Sequence, residues 1–149
     1  MKLAEALSVR ADLQKKVGQL KNRMKDSAKT QEGDKPVEDV AALSHELDSV
    51  LDKLEDLIFR INKTNMMADC GGENLTRLIA RRDVLAMRVS LMREVLNHAT
   101  GSERFSANEI KYVRNIDVNE FRKQTDGYAR QLRELDLKIQ RLNWTIDLV

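Results

Sequence analysis

The feature that most constrains this chain is a set of four long segments in which apolar residues recur at alternating steps of three and four. Such steps place side chains on one face of an α-helix, because the helix has about 3.6 residues per turn. The four apolar seams run through residues 6–24, 40–64, 75–99 and 121–146. At 1.5 Å per residue, each helix is expected to be roughly 40 Å long.

Helices of nearly equal length joined by short polar breaks favour an antiparallel four-helix bundle with long coiled-coil-like helices. One break contains the only proline, Pro36, and another contains Gly71 and Gly72. Extra apolar residues beside the seams, such as Leu91, widen the stripe beyond that of a two-stranded coil. We therefore predict an all-α fold in which residues 1–149 form a single helical-bundle domain.

One stretch departs from the helical period. In EIKYVRNIDV, residues 109–118, the apolar residues alternate with mostly polar neighbours, as in a β-strand. Together with residues 28–32, it could form a small β-ribbon at one end of the bundle. An open ribbon edge could pair with another subunit. The wide apolar stripes and this edge predict a homo-oligomer.

Two arginines interrupt the apolar seams, Arg10 in the first and Arg82 in the third. A buried guanidinium is costly unless acceptors surround it. Folding the helical hairpins at the polar breaks brings Arg10, Arg82 and Asp136 to one level of the bundle. We predict that they form a structural polar layer that fixes helix register. In the alternative, Arg10 and Arg82 hold a small anionic ligand, assisted by Asn65 and Asn143.

No motif in the sequence indicates a reaction. Cys70 is the only cysteine, and the same folding places His45 and His98 at the opposite end of the bundle, which disfavours a Cys/His pair. The Glu-x-x-His spacing of di-metal bundles is absent. We therefore predict no enzyme activity, no bound metal and no cofactor.

Composition and charge argue against several classes of partner. A net charge of +2 and 4% aromatic residues do not favour nucleic acid. No run approaches the ~20 apolar residues of a spanning helix, and Glu5 and Arg10 interrupt any signal-peptide core. A single cysteine agrees with a reducing compartment. The predicted protein is cytoplasmic, without a nucleic-acid partner and without stable membrane insertion.

A series of blocks along the chain carries a resemblance: MKLAEAL, RADLQKK, QEGDKPVED, RINKTN, RRDVLAMRVSLMREV, EIKYVRNIDV and NWTIDL. In this order they resemble a family of small, mostly bacterial, all-helical proteins without established activity, some of which carry the name septicolysin. That name implies a pore-forming toxin, although helices charged on every face but the seam do not suit lipid. The resemblance implies that the family's recurrent positions include Arg10, Asn62, Asn65, Arg82, Asp83, Glu109, Lys111, Asn143 and Trp144.

The sequence thus favours a non-enzymatic helical-bundle protein that acts by self-assembly or partner binding. One alternative is a protein that binds a small anion through Arg10 and Arg82. A second alternative is the membrane-active protein that the septicolysin name implies.

Overall fold

The computed structural model describes residues 1–101 and 110–149, which form four α-helices and no β-strand. The helices are α1 (Leu3–Ala28), α2 (Val40–Met67), α3 (Leu75–Thr100) and α4 (Val118–Thr145). The predicted all-α fold class with four long helices is confirmed. The chain divides into two compact units, unit 1 with residues 1–75 and 141–149 and unit 2 with residues 76–140.

In unit 1, α1 and α2 lie side by side in opposite directions. Arg23 contacts Glu38, whereas Lys16, earlier in α1, contacts Glu46, later in α2. The apolar seams meet between the two helices, where burial of their side chains stabilises the hairpin. Its core comprises Leu20, Leu43 and Val50, against which Leu13, Val17, Met24 and Leu47 pack.

The connection between α1 and α2 is shaped by side chains that bond the backbone. Asp39 caps α2, since its carboxylate accepts a 2.9 Å hydrogen bond from the Ala41 N–H. The buried Ser27 hydroxyl accepts a 3.3 Å bond from the Glu38 N–H. These bonds satisfy backbone donors in the region where the helical pattern stops.

The N-terminal residues of unit 1 pair with its C-terminal segment. The Leu3 N–H donates to the Ile146 carbonyl and the Leu148 N–H donates to the Met1 carbonyl, each at 2.9 Å. Residues 146–148 are therefore anchored beside the first turn of α1.

In unit 2, α3 and α4 also run in opposite directions. The Arg88 guanidinium lies 4.7 Å from the centroid of the Tyr128 ring, and Arg82, earlier in α3, contacts Asp136, later in α4. The buried side chains of these two helices include Leu78, Val89 and Met92 from α3 and Thr125, Ala129 and Ile139 from α4.

The prediction of a small β-ribbon is wrong for the described residues. Residues 110–117 and 29–39 contain no strand, and pairing in the described part of the chain is limited to the isolated bridges Lys2–Asp147 and Asp69–Asn74. Ile110 and Tyr112 are 93% and 79% exposed, so among the described residues their alternating pattern is not buried in a sheet or a core, as a stable strand requires. Residues 102–109, which include Glu109, lie outside the described residues.

Candidate functional site

α3 carries apolar residues on two sides of the helix. One side packs into unit 2, where Leu78, Val89 and Met92 are 1%, 2% and 8% exposed. On the other side of α3, four apolar residues spaced three or four positions apart are exposed to water. We call these the α3 stripe: Val84, Met87, Leu91 and Val95, which are 65%, 70%, 61% and 40% exposed.

The two apolar sides make α3 the least amphipathic of the four described helices. A helix that packs on one side and faces water on the other gathers its apolar residues in a single sector of its circumference. The apolar residues of α3 are instead spread over two sectors, which is typical of a helix with packing partners on two sides. The described residues cover only one of those sides.

A groove of about 430 Å³ lies between α3 and α4 and shares Val84 with the α3 stripe. Its lining includes three arginines and, among the described residues, no aspartate or glutamate, and Arg77 and Arg81 have interactions of their own. The Arg88 guanidinium lies over the Tyr128 ring, in a cation–π arrangement that holds it in place. We call this the arginine groove, and it is lined by Arg77, Ala80, Arg81, Val84, Leu85, Arg88, Tyr128 and Gln131.

α2 has an exposed face of the opposite charge in unit 1. Asp52, Glu55, Asp56 and Phe59 line a shallow cleft of about 380 Å³, and their spacing places all four on one side of the helix. Phe59 is 64% exposed. Asp56 contacts Arg60 at 3.8 Å, a surface pair that holds the carboxylate only weakly. We call these four residues the acidic patch.

Two members of the predicted polar layer contact each other in unit 2. Arg82 Nη1 lies 3.7 Å from Asp136 Oδ1. Arg82 also donates from Nε and Nη2 to Asp83 Oδ1, at 3.0 and 2.8 Å, so two carboxylates balance its charge. Arg10 belongs to unit 1, where its Nε is buried and has no hydrogen-bond partner among the described residues.

The two asparagines predicted to assist an anionic ligand, Asn65 and Asn143, are half-buried in unit 1. The buried polar side chain in this region is instead Thr64, which is 1% exposed. Its hydroxyl donates to the Arg60 carbonyl at 2.8 Å and accepts from the Val149 N–H at 3.1 Å. The sequence indicates Thr64 only as a seam residue at the end of a helix, since nothing local points to a contact with residue 149.

The loop that contains Cys70 is organised by Asp69. Its Oδ1 accepts hydrogen bonds from the N–H groups of Gly71 at 3.0 Å and Gly72 at 2.8 Å. Both glycines have φ near 90°, in the region where other residues are strained. Cys70 is half-buried and its Sγ lies 3.7 Å from the Ala68 carbonyl. These contacts are those of a tight turn that follows α2.

Metal ligands and membrane-crossing helices are the remaining features that could indicate a function. In residues 1–101 and 110–149, no three His, Cys, Asp or Glu side chains are grouped as a metal site would require. None of the helices in the same residues combines the length and the apolar character needed to cross a bilayer.

A protein-family model described as a family of unknown function (DUF6847) matches residues 10–148. This chain belongs to that family. A crystal structure described as that of a functionally unknown conserved protein from Corynebacterium diphtheriae is 38% identical, with a TM-score of 0.93. The similarity covers 100% of this chain and 99% of that one. No curated protein matches the chain.

The DUF6847 match confirms the predicted resemblance at the level of a family without known function, and neither comparison carries the name septicolysin. The matched residues include the α3 stripe, the arginine groove and the acidic patch of this family member. The α3 stripe is apolar, the arginine groove is basic and the acidic patch is acidic. Surfaces of these kinds can bind another surface. None of them combines a nucleophile with a base, as covalent catalysis requires.

Proposed function

We propose that this DUF6847 protein acts by self-assembly, and that the α3 stripe is the surface through which a second copy binds. The exposure of these four aligned apolar side chains carries the proposal. Single exposed apolar residues are common on soluble proteins. Four on one helical face form a continuous patch of the kind that marks an interaction site.

The geometry of the stripe favours a helix as its occupant. Val84 and Val95 are separated by 11 residues, so the stripe is about 17 Å long. Its steps of three, four and four are those of a coiled-coil seam, into which a partner helix inserts its side chains. The proposed assembly is cytoplasmic and non-enzymatic, and the α3 stripe acts through burial of its apolar side chains.

Sedimentation velocity and light scattering across protein concentrations test this proposal. We expect the wild-type chain to be a dimer or a larger homo-oligomer. Leu91→Glu places a charge in the centre of the stripe and should give a monomer, because a buried unpaired carboxylate is costly. Leu137→Glu is the matched control, since Leu137 is 51% exposed on α4 and lies outside the stripe. A monomeric wild type, or a Leu91→Glu variant that assembles normally, contradicts the proposal.

A small anionic ligand at Arg10 is the second candidate function. It is favoured by the buried Arg10 Nε, because a buried donor without an acceptor is destabilising and an anion would satisfy it. Arg82 contributes less than the sequence suggested, since Asp83 and Asp136 already neutralise it. A panel of phosphate, sulfate and carboxylates should raise the melting temperature of the wild type and leave Arg10→Gln unchanged. An unmoved wild-type melting temperature rejects this function.

The membrane activity implied by the septicolysin name is a separate proposal with its own test. Dye release from liposomes would support it, and intact liposomes at micromolar protein would reject it.

A further inference from the structure

We infer that the α3 stripe of one copy packs on the same stripe of a second copy, with the two α3 helices parallel and related by a two-fold axis that runs between them. This inference rests on the proposed self-assembly and names the surface that meets α3. It also limits the assembly to a dimer, because a contact between identical surfaces related by a two-fold axis is complete with two copies.

The α3 stripe is the one continuous apolar stripe that is exposed on the described helices. The large apolar side chains exposed on the other three helices lie at least seven residues apart, except for the adjacent Met66 and Met67. Polar residues interrupt the surface between them: Glu55 lies four residues from both Leu51 and Phe59. In a second copy, the described helix that offers an exposed apolar seam of matching length is therefore α3.

Burial favours the contact between two such stripes. Each copy covers the four apolar side chains of the other, so both stripes leave water together. Their steps of three and four residues suit the packing of side chains from one helix into the gaps of the other. A charged surface laid on the stripe would instead lose its own hydration without gaining hydrogen bonds, which is unfavourable.

The two sides of the stripe carry opposite charge. At about 100° per residue, Arg88 lies about 55° to one side of the middle of the stripe. Glu94 lies about 65° and Asp83 about 85° to the other side. Arg88 keeps its charge while its guanidinium lies over the Tyr128 ring. The stripe thus has one basic side and one acidic side.

These charges favour a parallel arrangement. When two identical helices pack in parallel around a two-fold axis, opposite sides of their stripes meet, so the Arg88 side of each copy faces the Glu94 side of the other. In an antiparallel pair the same sides meet, which would bring Arg88 near Arg88 and Glu94 near Asp83. Like charges that face each other at an interface oppose association. Charges beside a coiled-coil seam set the orientation of its helices in this way.

The parallel arrangement also keeps the arginine grooves apart. The groove lies on the same side of the stripe as Arg88, which is one of its lining residues. The two-fold axis therefore places the grooves of the two copies on opposite sides of the helix pair. Arg77 and Arg81 can keep the interactions that they make within their own chain, because the contact does not involve them.

Disulfide cross-linking tests the parallel contact. Cys70→Ser first removes the only cysteine, and Leu91→Cys or Met87→Cys is then added singly. In the parallel pair each of these residues lies beside its own copy across the axis, at a separation that a disulfide can bridge. We expect each variant alone to form a covalent dimer on mild oxidation. Leu137→Cys is the matched control, since Leu137 is exposed on α4 outside the stripe, and it should remain a single chain on non-reducing gels.

An antiparallel pair would give a different cross-linking pattern. Met87 of one copy would then lie beside Leu91 of the other, because the two residues are at nearly equal distances from the middle of the stripe. A mixture of the two cysteine variants would cross-link, whereas neither variant alone would do so efficiently. That result rejects the parallel contact.

The charge of Glu94 gives a readout that does not depend on cysteine. Glu94→Lys should weaken association about fivefold, because an exposed ion pair contributes little but the contact occurs twice in the dimer. In an antiparallel pair the same substitution would strengthen association, since residue 94 would face Asp83. The control is Asp126→Lys at an exposed position of α4, which changes net charge by the same amount and should leave association unaltered. Circular dichroism checks that every variant remains helical.

Sedimentation velocity separates this inference from the proposed function. The wild type should reach the mass of two chains and stop there. If it forms larger assemblies that Leu91→Glu abolishes, self-assembly stands and the two-fold contact between stripes is wrong. The same conclusion follows if Leu91→Glu is monomeric but neither cysteine variant alone cross-links. A monomeric wild type overturns both proposals.

Discussion

Replacing Leu20 by alanine tests whether the apolar seam holds the hairpin of α1 and α2. Leu20 is 0% exposed and packs with Leu43 and Val50. The substitution removes three carbon atoms from a buried site, which costs about 2.4 kcal/mol at ~0.8 kcal/mol per buried methylene. Incomplete collapse of the cavity adds about 1 kcal/mol at ~24 cal/mol per Å³. The expected loss in the free energy of unfolding is therefore about 3 kcal/mol.

Urea denaturation followed by circular dichroism measures this loss. With a slope of about 2 kcal/mol per molar urea, which is ordinary for a protein of this size, the midpoint should fall by about 1.5 M. The wild type and the variant are compared at one protein concentration, because the proposed self-assembly would make the apparent stability concentration-dependent.

Leu137→Ala is the control, because it removes the same three carbons from a side chain that is 51% exposed on α4. Its expected effect is below about 1 kcal/mol, in line with substitutions away from the core. The reasoning fails if Leu20→Ala costs less than about 1 kcal/mol, or if the two variants are destabilised equally.

Two further predictions concern acid and the turn between α2 and α3. The hydrogen bond from Arg23 lowers the pKa of Glu38, and the hydrogen bond from Lys16 lowers the pKa of Glu46. The stabilisation by these two ionised carboxylates is present above their ordinary pKa of 4.5 and is lost as pH falls through the lowered pKa. The melting temperature of the wild type should therefore drop on acidification below about pH 4.5. It should drop less in a Glu38→Gln/Glu46→Gln variant. Equal pH dependence of both proteins would refute this. Gly71→Ala should destabilise by about 1 kcal/mol, because φ is 91° there, whereas Gly127→Ala inside α4, where an added Cβ meets nothing within 4 Å, should stabilise by up to about 1 kcal/mol. If chemical denaturation shows that the two glycine substitutions change the free energy of unfolding in the same direction, backbone conformation does not decide the effect.

The helices were predictable because their signal is local. Apolar steps of three and four extend through residues 40–64, and α2 spans Val40–Met67. The polar break at residues 69–74 also has a local cause, since Gly71 and Gly72 adopt a conformation that other residues avoid. The positions of the polar breaks also predicted that Arg82 and Asp136 lie at the same height along their helices. Arg82 Nη1 and Asp136 Oδ1 are 3.7 Å apart.

Features that depend on distant residues were not predictable in the same way. For the described residues the prediction of a β-ribbon was wrong, because an alternating pattern in residues 110–117 specifies a strand only where a partner strand or a core supports it. The bond between the Thr64 hydroxyl and the Val149 N–H joins residues far apart in sequence, and no local pattern indicates it.

The surface of α3 shows why the site was harder to predict than the fold. Leu91 was recognised as an extra apolar residue beside the seam. Periodicity cannot decide which of two apolar faces a helix buries, because both have the same steps. Exposure decides it: Leu91 is 61% exposed, while Val89, two residues earlier, is 2% exposed. An apolar stripe that the described residues leave in water is, in our proposal, the surface that a second copy covers.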